Sequence, residues 1–239
     1  MTHALDSIRI WLVCPTILED PAERVRALAC LPSQEIQQAA TFGLPGVRDQ
    51  FLSARVLARV ALSSYLGTAP PCIEFVAGAA SKPEIGAPRT EPELRFNLSH
   101  THALTACAVT TIGDIGVDVE EVHAVPLDVA QILFAPPEIE ALRALPASER
   151  QETTGALWTL KEAFLKARGN GFTMPLDAFA VGHAPPRLIP WGALSREAAQ
   201  WQFVSASPTK THRLAVCVRQ QETAPPPRVT MTWLDRLPG

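Results

Sequence analysis

Two stretches with helical periodicity constrain the fold of this 239-residue chain more than any other feature. In Val47–Leu66 and Glu152–Arg168, apolar residues recur every three or four positions, which is typical of a helix with one buried face. A strand-like run, Ile8–Val13, precedes the first helix, and further runs follow both helices. This order of strand, helix and strands occurs twice, and predicts an α+β chain with two related halves, although no convincing sequence repeat accompanies it.

Short alternating runs between the two helices indicate further strands. We expect Leu94–Leu98, Leu104–Thr110 and Ile115–Glu120 to pair as an antiparallel meander. Residues 78–93 are rich in Gly and Pro and are expected to form an exposed loop.

We place the boundary between the halves at residue 113, which gives an N-terminal half of 1–113 and a C-terminal half of 114–239. The chain has 21 Lys and Arg against 24 Asp and Glu, for a net charge of −3. Neither half carries an excess of basic residues, which argues against a nucleic-acid partner. Hydrophobic residues make up 47% of the chain, enough to build a packed core and too many for a disordered protein.

Five cysteines stand at wide spacings without a CxxC pair, as expected of free thiols in a reducing compartment. The apolar run Ile8–Cys14 is short and interrupted by Arg9, so we expect neither a secretory signal nor a membrane span. Together these features predict a soluble, cytoplasmic protein.

The segment IGVDVE, Ile115–Glu120, places two acidic residues in a predicted strand. Alternation puts Asp118 and Glu120 on one face, about 7 Å apart along the strand. Two adjacent carboxylates are costly unless a cation lies between them, and oxygen ligands favour a hard ion such as Mg²⁺. The alternative interpretation is an edge strand with a solvated acidic face.

The segment WTLKEAFLK, Trp158–Lys166, adds a carboxylate and two lysines on the second long helix. Glu162 and Lys166 are four residues apart and share a helix face, while Lys161 lies about 100° round the helix from Glu162. A carboxylate with a lysine one turn away would suit a metal-bound phosphate. The same spacing also describes an ordinary Glu–Lys helix pair.

Two further segments carry polar groups that suit an anion. In FNLSHTH, Ser99 and His100 fall at the end of a predicted strand, and in SKPEIG, Lys82 is held extended before a proline. The alternative interpretation of Lys82 is an ordinary lysine in a surface loop. The chain has only four lysines, and three of them, Lys82, Lys161 and Lys166, fall in these motifs.

The joint order of these motifs resembles that of the 4′-phosphopantetheinyl transferases of the surfactin-synthetase-activating type. The resemblance covers most of residues 47–181 and is most specific in IGVDVE and in WTLKEAFLKARGNGF. It implies two pseudo-two-fold-related α+β halves, each a small antiparallel sheet packed with a long helix, with the active site between them. It also implies transfer of 4′-phosphopantetheine from coenzyme A to a serine of an acyl, peptidyl or aryl carrier protein, with Mg²⁺ as cofactor and release of 3′,5′-ADP.

Carried over to this sequence, the resemblance assigns a role to each motif residue. Asp118, Glu120 and Glu162 would bind the metal, with Glu162 also the candidate base for the carrier serine. Lys166 would neutralise the pyrophosphate. The coenzyme-binding set would be Lys82, Ser99, His100 and Lys161. Trp158 and Phe164 are interpreted as packing residues.

The resemblance is incomplete in three places: basic residues are missing from one helix, Ser81 stands where a glycine commonly precedes KP, and His123 occupies the region after IGVDVE where an arginine is often found. Family members often carry basic residues in the helix corresponding to Gln34–Thr41, which here reads QEIQQAAT, and Arg48 is the substitute that the sequence offers for holding coenzyme A. An alternative interpretation is therefore a degenerate relative that binds carrier protein or coenzyme A without transfer. Because both halves belong to one chain, we expect a monomer to suffice.

Overall fold

The chain folds into two compact units in the computed structural model. The first unit comprises Met1–Ile112 together with Pro227–Gly239, and the second comprises Gly113–Pro226. The structure describes residues 7–78, 82–169 and 174–238. The predicted division at 113 therefore misassigns the C-terminal segment, which belongs with the N-terminal unit.

Six helices and eleven strands form the regular structure of the described residues. The helices are α1 (Pro21–Ala29), α2 (Ser33–Ala40), α3 (Pro45–Leu66), α4 (Leu127–Leu133), α5 (Pro136–Ala144) and α6 (Ala147–Arg168). The strands are β1 (Ser7–Val13), β2 (Glu74–Ala77), β3 (Pro83–Ala87), β4 (Arg95–His100), β5 (Thr105–Thr110), β6 (Ile115–Glu121), β7 (Ala180–His183), β8 (Pro186–Ile189), β9 (Trp201–Ala206), β10 (His212–Arg219) and β11 (Arg228–Trp233). Within the described ranges, no helix is long and apolar enough to cross a lipid bilayer.

The first unit is built on a four-stranded sheet in the order β11-β1-β5-β4. Strands β1, β5 and β4 pair antiparallel, whereas β11 lies parallel to β1, with Ser7 opposite Arg228. This pairing is the reason that the C-terminal segment joins the first unit. It also makes the sheet mixed, where a purely antiparallel one was expected.

The long helix α3 covers one face of this sheet. Its Leu57, Ala61 and Leu62 are fully buried and pack in one cluster with Cys107 of β5 and Phe96 of β4. The helix ends at Gly67, which takes a left-handed conformation (φ 61°) that a residue with a side chain rarely adopts. The predicted helical periodicity of this segment is confirmed.

The second unit is built on the antiparallel sheet β6-β10-β9. Helix α6 packs on it through a core in which the Phe164 ring lies 4.9 Å from Phe179 and 5.0 Å from Trp201, centroid to centroid. The helix ends at Gly169 with φ 74°. Asn170 and Gly171, which follow Gly169 in the sequence, lie outside the described residues.

The two units repeat one topology. In each, the first strand is followed by a 22-residue helix, a two-stranded ribbon (β2–β3 or β7–β8) and two more strands of the main sheet. The last of these strands in the chain, β5 or β10, lies between the other two in the sheet, which gives the orders β1-β5-β4 and β6-β10-β9. The prediction of an α+β chain with two related halves is confirmed at the level of topology.

Two predictions for the middle of the chain are wrong. Strand β6 does not continue a meander from β5, because its partner is β10, about a hundred residues further along. The 78–93 segment is not a plain loop, since β3 lies within it and pairs antiparallel with β2. The glycines and prolines concealed this strand, whose residues are only half-buried.

We expect the five thiols to separate into two reactivity classes. Cys14 and Cys72 are exposed and accessible to a reagent, whereas Cys30, Cys107 and Cys217 are buried. Titration of the native protein with a chromogenic disulfide should give two rapidly reacting thiols, and all five after denaturation. Rapid reaction of a third thiol in the native state would contradict the described burial.

Candidate active site

Strand β6 presents its acidic residues to helix α6. Val117 and Val119 are fully buried on one face of the strand, while Asp118 and Glu120 lie on the other, as alternation predicts. Gly116 lets the strand approach closely, because a Cβ added there would collide with the carbonyl oxygen of Ala163 and the amide nitrogen of Ala167 on α6. The contact brings the strand carboxylates directly over the helix.

Asp118 and Lys166 form an ion pair between these two elements. The Lys166 Nζ donates to Asp118 Oδ1 at 2.7 Å, and the Asp118 side chain is only 3% exposed while that of Lys166 is 30% exposed. Asp118 is therefore desolvated and paired with a cation that still reaches solvent. The strand motif and the helix motif, interpreted separately from the sequence, meet at this pair.

Glu120 and Glu162 carry strongly perturbed carboxyl groups. Burial, and then the neighbouring Asp118 carboxylate, raise the pKa of each to about 7, and Lys166 opposes this shift in both. Glu162 also contributes to raising the pKa of Glu120. Three carboxylates thus share one poorly solvated space with one lysine, an arrangement typical of a functional site.

Trp158 makes a polar contact that the sequence interpretation missed. Its indole, a donor only, makes a side-chain hydrogen bond with Glu120, which favours the ionised carboxylate. Trp158 and Glu162 are four residues apart and face β6 together. Phe164, by contrast, is fully buried in the core, as its interpretation as a packing residue predicts.

The carboxylates suit a hard divalent cation in donor chemistry. Asp118, Glu120 and Glu162 supply oxygen atoms only, and the Glu162 Oε1 is buried without a hydrogen-bond partner among the described residues. As these side chains are oriented, no group of three or more His, Cys, Asp or Glu residues in the described ranges is arranged to hold a metal. The three carboxylates therefore fit a divalent cation in the type of donor atom and in charge. In this structure, the cation that Asp118 contacts is the Lys166 ammonium.

The structure corrects the role expected for Lys161. Its side chain is fully buried, and its Nζ donates at 2.7 Å to both carboxylate oxygens of Glu138 and to the carbonyl oxygen of Phe179. The same ammonium lies 4.2 Å from the centroid of the Phe179 ring. With its donors used inside the core, Lys161 is in no position to bind coenzyme A, and we interpret it as a structural residue.

Glu138 joins three elements at this buried pair, and nothing in the local sequence indicated it. Its carboxylate also accepts from the backbone amides of Ala135, at the start of α5, and Val181, in β7, each at 2.8 Å. Lys161, on α6, donates to the same carboxylate and so makes α6 the third element that Glu138 contacts. A partner 23 residues away carries no periodic signal, so only the tertiary structure reveals the pair.

The first unit holds the remaining predicted residues. Ser99 and His100 end β4 on opposite faces, with Ser99 buried and His100 exposed. Lys82 immediately precedes β3, where its carbonyl oxygen accepts from the Gly78 amide at 2.8 Å, and its side chain is half-buried. Ser81, which precedes Lys82, lies outside the described residues.

Arg48 lies in the first turn of α3, next to the turn that follows β4. Gln50 donates to the carbonyl oxygen of Thr101 at 3.1 Å, and a Cβ at Gly46 would lie 3.4 Å from the His102 ring. The structure thus brings the start of α3, with Arg48, against the chain that immediately follows His100. Helix α2 contributes no basic residue, and its Glu35 is bound by Arg59.

Comparison with known proteins places this arrangement in one family. Residues 114–217 match the 4′-phosphopantetheinyl transferase superfamily. The 4′-phosphopantetheinyl transferase HetI of Nostoc sp. is 32% identical over 221 residues, covering 91% of this chain and 90% of that protein. A 4′-phosphopantetheinyl transferase of Bacillus subtilis is 30% identical over 159 residues, covering 66% of this chain and 69% of its own length.

A solved structure gives a weaker match. Thermotoga maritima holo-(acyl-carrier-protein) synthase aligns at 21% identity with a TM-score of 0.37, over 46% of this chain and 64% of that chain. On the strength of the sequence relatives, the chain belongs to the 4′-phosphopantetheinyl transferases, enzymes that transfer a phosphopantetheine arm to carrier proteins. The matched segment 114–217 includes all three carboxylates and Lys166.

Proposed function

We propose that this enzyme transfers 4′-phosphopantetheine from coenzyme A to a serine hydroxyl of an apo carrier protein, with Mg²⁺, releasing 3′,5′-ADP. The observation that carries the proposal is the desolvated group of Asp118, Glu120 and Glu162 facing Lys166 across β6 and α6. Such a group is costly in an empty protein and favourable beside a divalent cation and a pyrophosphate.

The reaction exchanges the phosphoanhydride bond of the coenzyme A pyrophosphate for a phosphoester bond to serine. The serine oxygen attacks the β-phosphorus of coenzyme A, a new O–P bond forms, and the bond to the departing 3′,5′-ADP breaks. The serine proton must leave as the bond forms. Glu162, directly or through a water molecule, is our candidate acceptor, because its carboxylate lies beside Asp118 and its Oε1 has no hydrogen-bond partner among the described residues.

The other charged residues have supporting roles in this proposal. Asp118, Glu120 and Glu162 would hold Mg²⁺, which when bound polarises the phosphate under attack. Lys166, whose ammonium reaches solvent beside Asp118, would offset the charge that develops on the pyrophosphate.

For the coenzyme, we propose that the first unit supplies phosphate contacts. Lys82, Ser99 and His100 would bind phosphate groups, with exposed His100 on the 3′-phosphate. Arg48 would take the role of the basic residues missing from α2. Its Nε is buried and has no hydrogen-bond partner among the described residues. We further propose that the enzyme acts as a cytoplasmic monomer, without nucleic-acid or membrane partners.

Incubation with coenzyme A, Mg²⁺ and a panel of apo carrier proteins tests the function. We expect intact mass to show one added phosphopantetheine arm on at least one carrier, 3′,5′-ADP in equal amount, and no product when a chelator removes the metal. No increment on any carrier of a broad panel, with coenzyme A still bound, would contradict transfer and favour a protein that only binds. Release of 3′,5′-ADP without a carrier would instead indicate a pyrophosphate hydrolase.

A further inference from the structure

One face of α6 lies along β6 and along the turn that comes after this strand. We call it the α6 stripe, and it comprises Gln151, Gly155, Trp158, Glu162 and Lys166. These positions are separated by three or four residues, so they lie on one side of the helix. The last three contact or perturb Asp118 and Glu120, whereas Gln151 and Gly155 have no part in the proposed chemistry.

Gln151 and Gly155 contact the turn that immediately follows β6. The Gln151 Nε2 donates to the carbonyl oxygens of Val125 at 2.8 Å and of Val122 at 3.4 Å. A Cβ added at Gly155 would lie 3.1 Å from the Val122 carbonyl oxygen, so the helix backbone approaches the turn closely there. Val122 is only two residues beyond Glu120.

The same turn is fixed on its other side by the sheet. The Val122 amide donates to the carbonyl oxygen of Thr211 at 2.9 Å, and the Ala124 amide donates to that of Glu121 at 2.9 Å. The Val125 side chain is 6% exposed. The chain after β6 is therefore held between α6 and the start of β10, with Gln151 supplying the side-chain contact from the helix.

Glu120 lies one residue before the end of β6, where it pairs with Arg213 of β10. At the other end, the close contact of Gly116 with Ala163 and Ala167 fixes the strand against the helix. Near Glu120, Gln151 and Gly155 contact the backbone of the turn directly, whereas Glu152 of α6 binds only the side chain of Arg213, the β10 residue opposite Glu120. We propose that Gln151 is a positioning residue, which holds the 122–125 turn on α6 so that Glu120 stays opposite Trp158 and Glu162.

The Gln151→Glu variant removes the hydrogen-bond donor of the Gln151 side chain. Glu has nearly the helix propensity and size of Gln, but it has no N–H to donate and directs a carboxylate at two carbonyl oxygens. Gln220→Glu is the matched control in the same unit, since the Gln220 Nε2 also donates to a backbone carbonyl oxygen, that of Pro225 at 3.3 Å. Both changes add one negative charge.

Hydrogen exchange and transfer kinetics together decide the proposal. Only the kinetic measurement rests on the proposed function. In hydrogen exchange followed by mass spectrometry, we expect the Val122 and Ala124 amides to exchange about 10-fold faster in Gln151→Glu than in the parent or the control. In transfer assays, we expect its kcat to fall roughly 10- to 100-fold with the KM for coenzyme A unchanged, as for other residues that orient metal ligands.

The outcomes separate the positioning role from general destabilisation and from a wrong function. Unchanged exchange in the turn, or faster exchange with an unchanged kcat, would overturn the proposal. An equal loss of kcat in Gln220→Glu would also overturn it, because the effect would then follow from charge alone. If the parent shows no transfer at all, the proposed function fails, and the exchange result still reports whether Gln151 holds the turn.

Discussion

The Glu162→Gln variant is expected to lose transfer activity, with kcat lowered roughly 10²- to 10⁴-fold, the range typical of a lost general base. The amide matches the carboxyl group in shape, but it accepts no proton and offers a cation only one neutral oxygen. Carrier modification by mass spectrometry under single-turnover conditions measures the loss directly.

A matched change elsewhere controls for the substitution itself. Glu140 is an exposed carboxylate on α5, so Glu140→Gln should transfer at the parent rate. Circular dichroism and coenzyme A binding without metal should be alike in all three proteins. Full turnover in a folded Glu162→Gln variant would remove Glu162 from the mechanism.

The second large effect is expected on stability, at the buried pair of Lys161 and Glu138. Lys161→Met leaves the Glu138 carboxylate in the core without its cation, and Glu138→Gln leaves the ammonium without its anion. Breaking a buried pair by removing one partner typically costs about 3–5 kcal/mol. We expect each single variant to lose unfolding free energy of this order, measured by urea denaturation.

The double variant separates the charge effect from packing. In Lys161→Met with Glu138→Gln no charge remains buried at this pair, and the amide oxygen still accepts from one of the amides of Ala135 and Val181. We expect it to be more stable than the sum of the two single effects predicts. Below the unfolding transition, the KM for coenzyme A should be unchanged in Lys161→Met, whereas a phosphate contact by Lys161 would raise it.

Local periodicity accounts for most of what could be predicted from the sequence. The 3.6-residue repeat located α3 and α6, and alternation in IGVDVE placed Asp118 and Glu120 on one face. These are short-range properties of the chain. The two topological errors arose over long distances, because nothing near β6 or β11 indicates that their partners are β10 and β1.

Lys161 and Glu162 show the limit of such reasoning within a single motif. A helical wheel separates them by about 100°, but it does not say which of the two directions is the core. The sequence placed both at the site, partly because lysines are scarce. The structure buries Lys161 against Glu138 and Phe179, on the side away from β6, and leaves Glu162 beside Asp118. The roles of Lys161 and Glu162 could be told apart only from the position of the Glu138 carboxylate in the folded structure.

The parallel pairing of β11 with β1 has a consequence for the order of events during synthesis. Ser7 pairs with Arg228, which the ribosome adds 221 residues later (228 minus 7), whereas Gly113–Pro226 is one continuous stretch. The N-terminal unit therefore waits for β11 before its sheet is complete, while the unit formed by Gly113–Pro226 already has every strand of its own sheet. Domains usually mature from the N-terminus as the chain emerges. Here the unit with the carboxylates can finish first, and this edge of β1 stays unpaired until β11 has been synthesised.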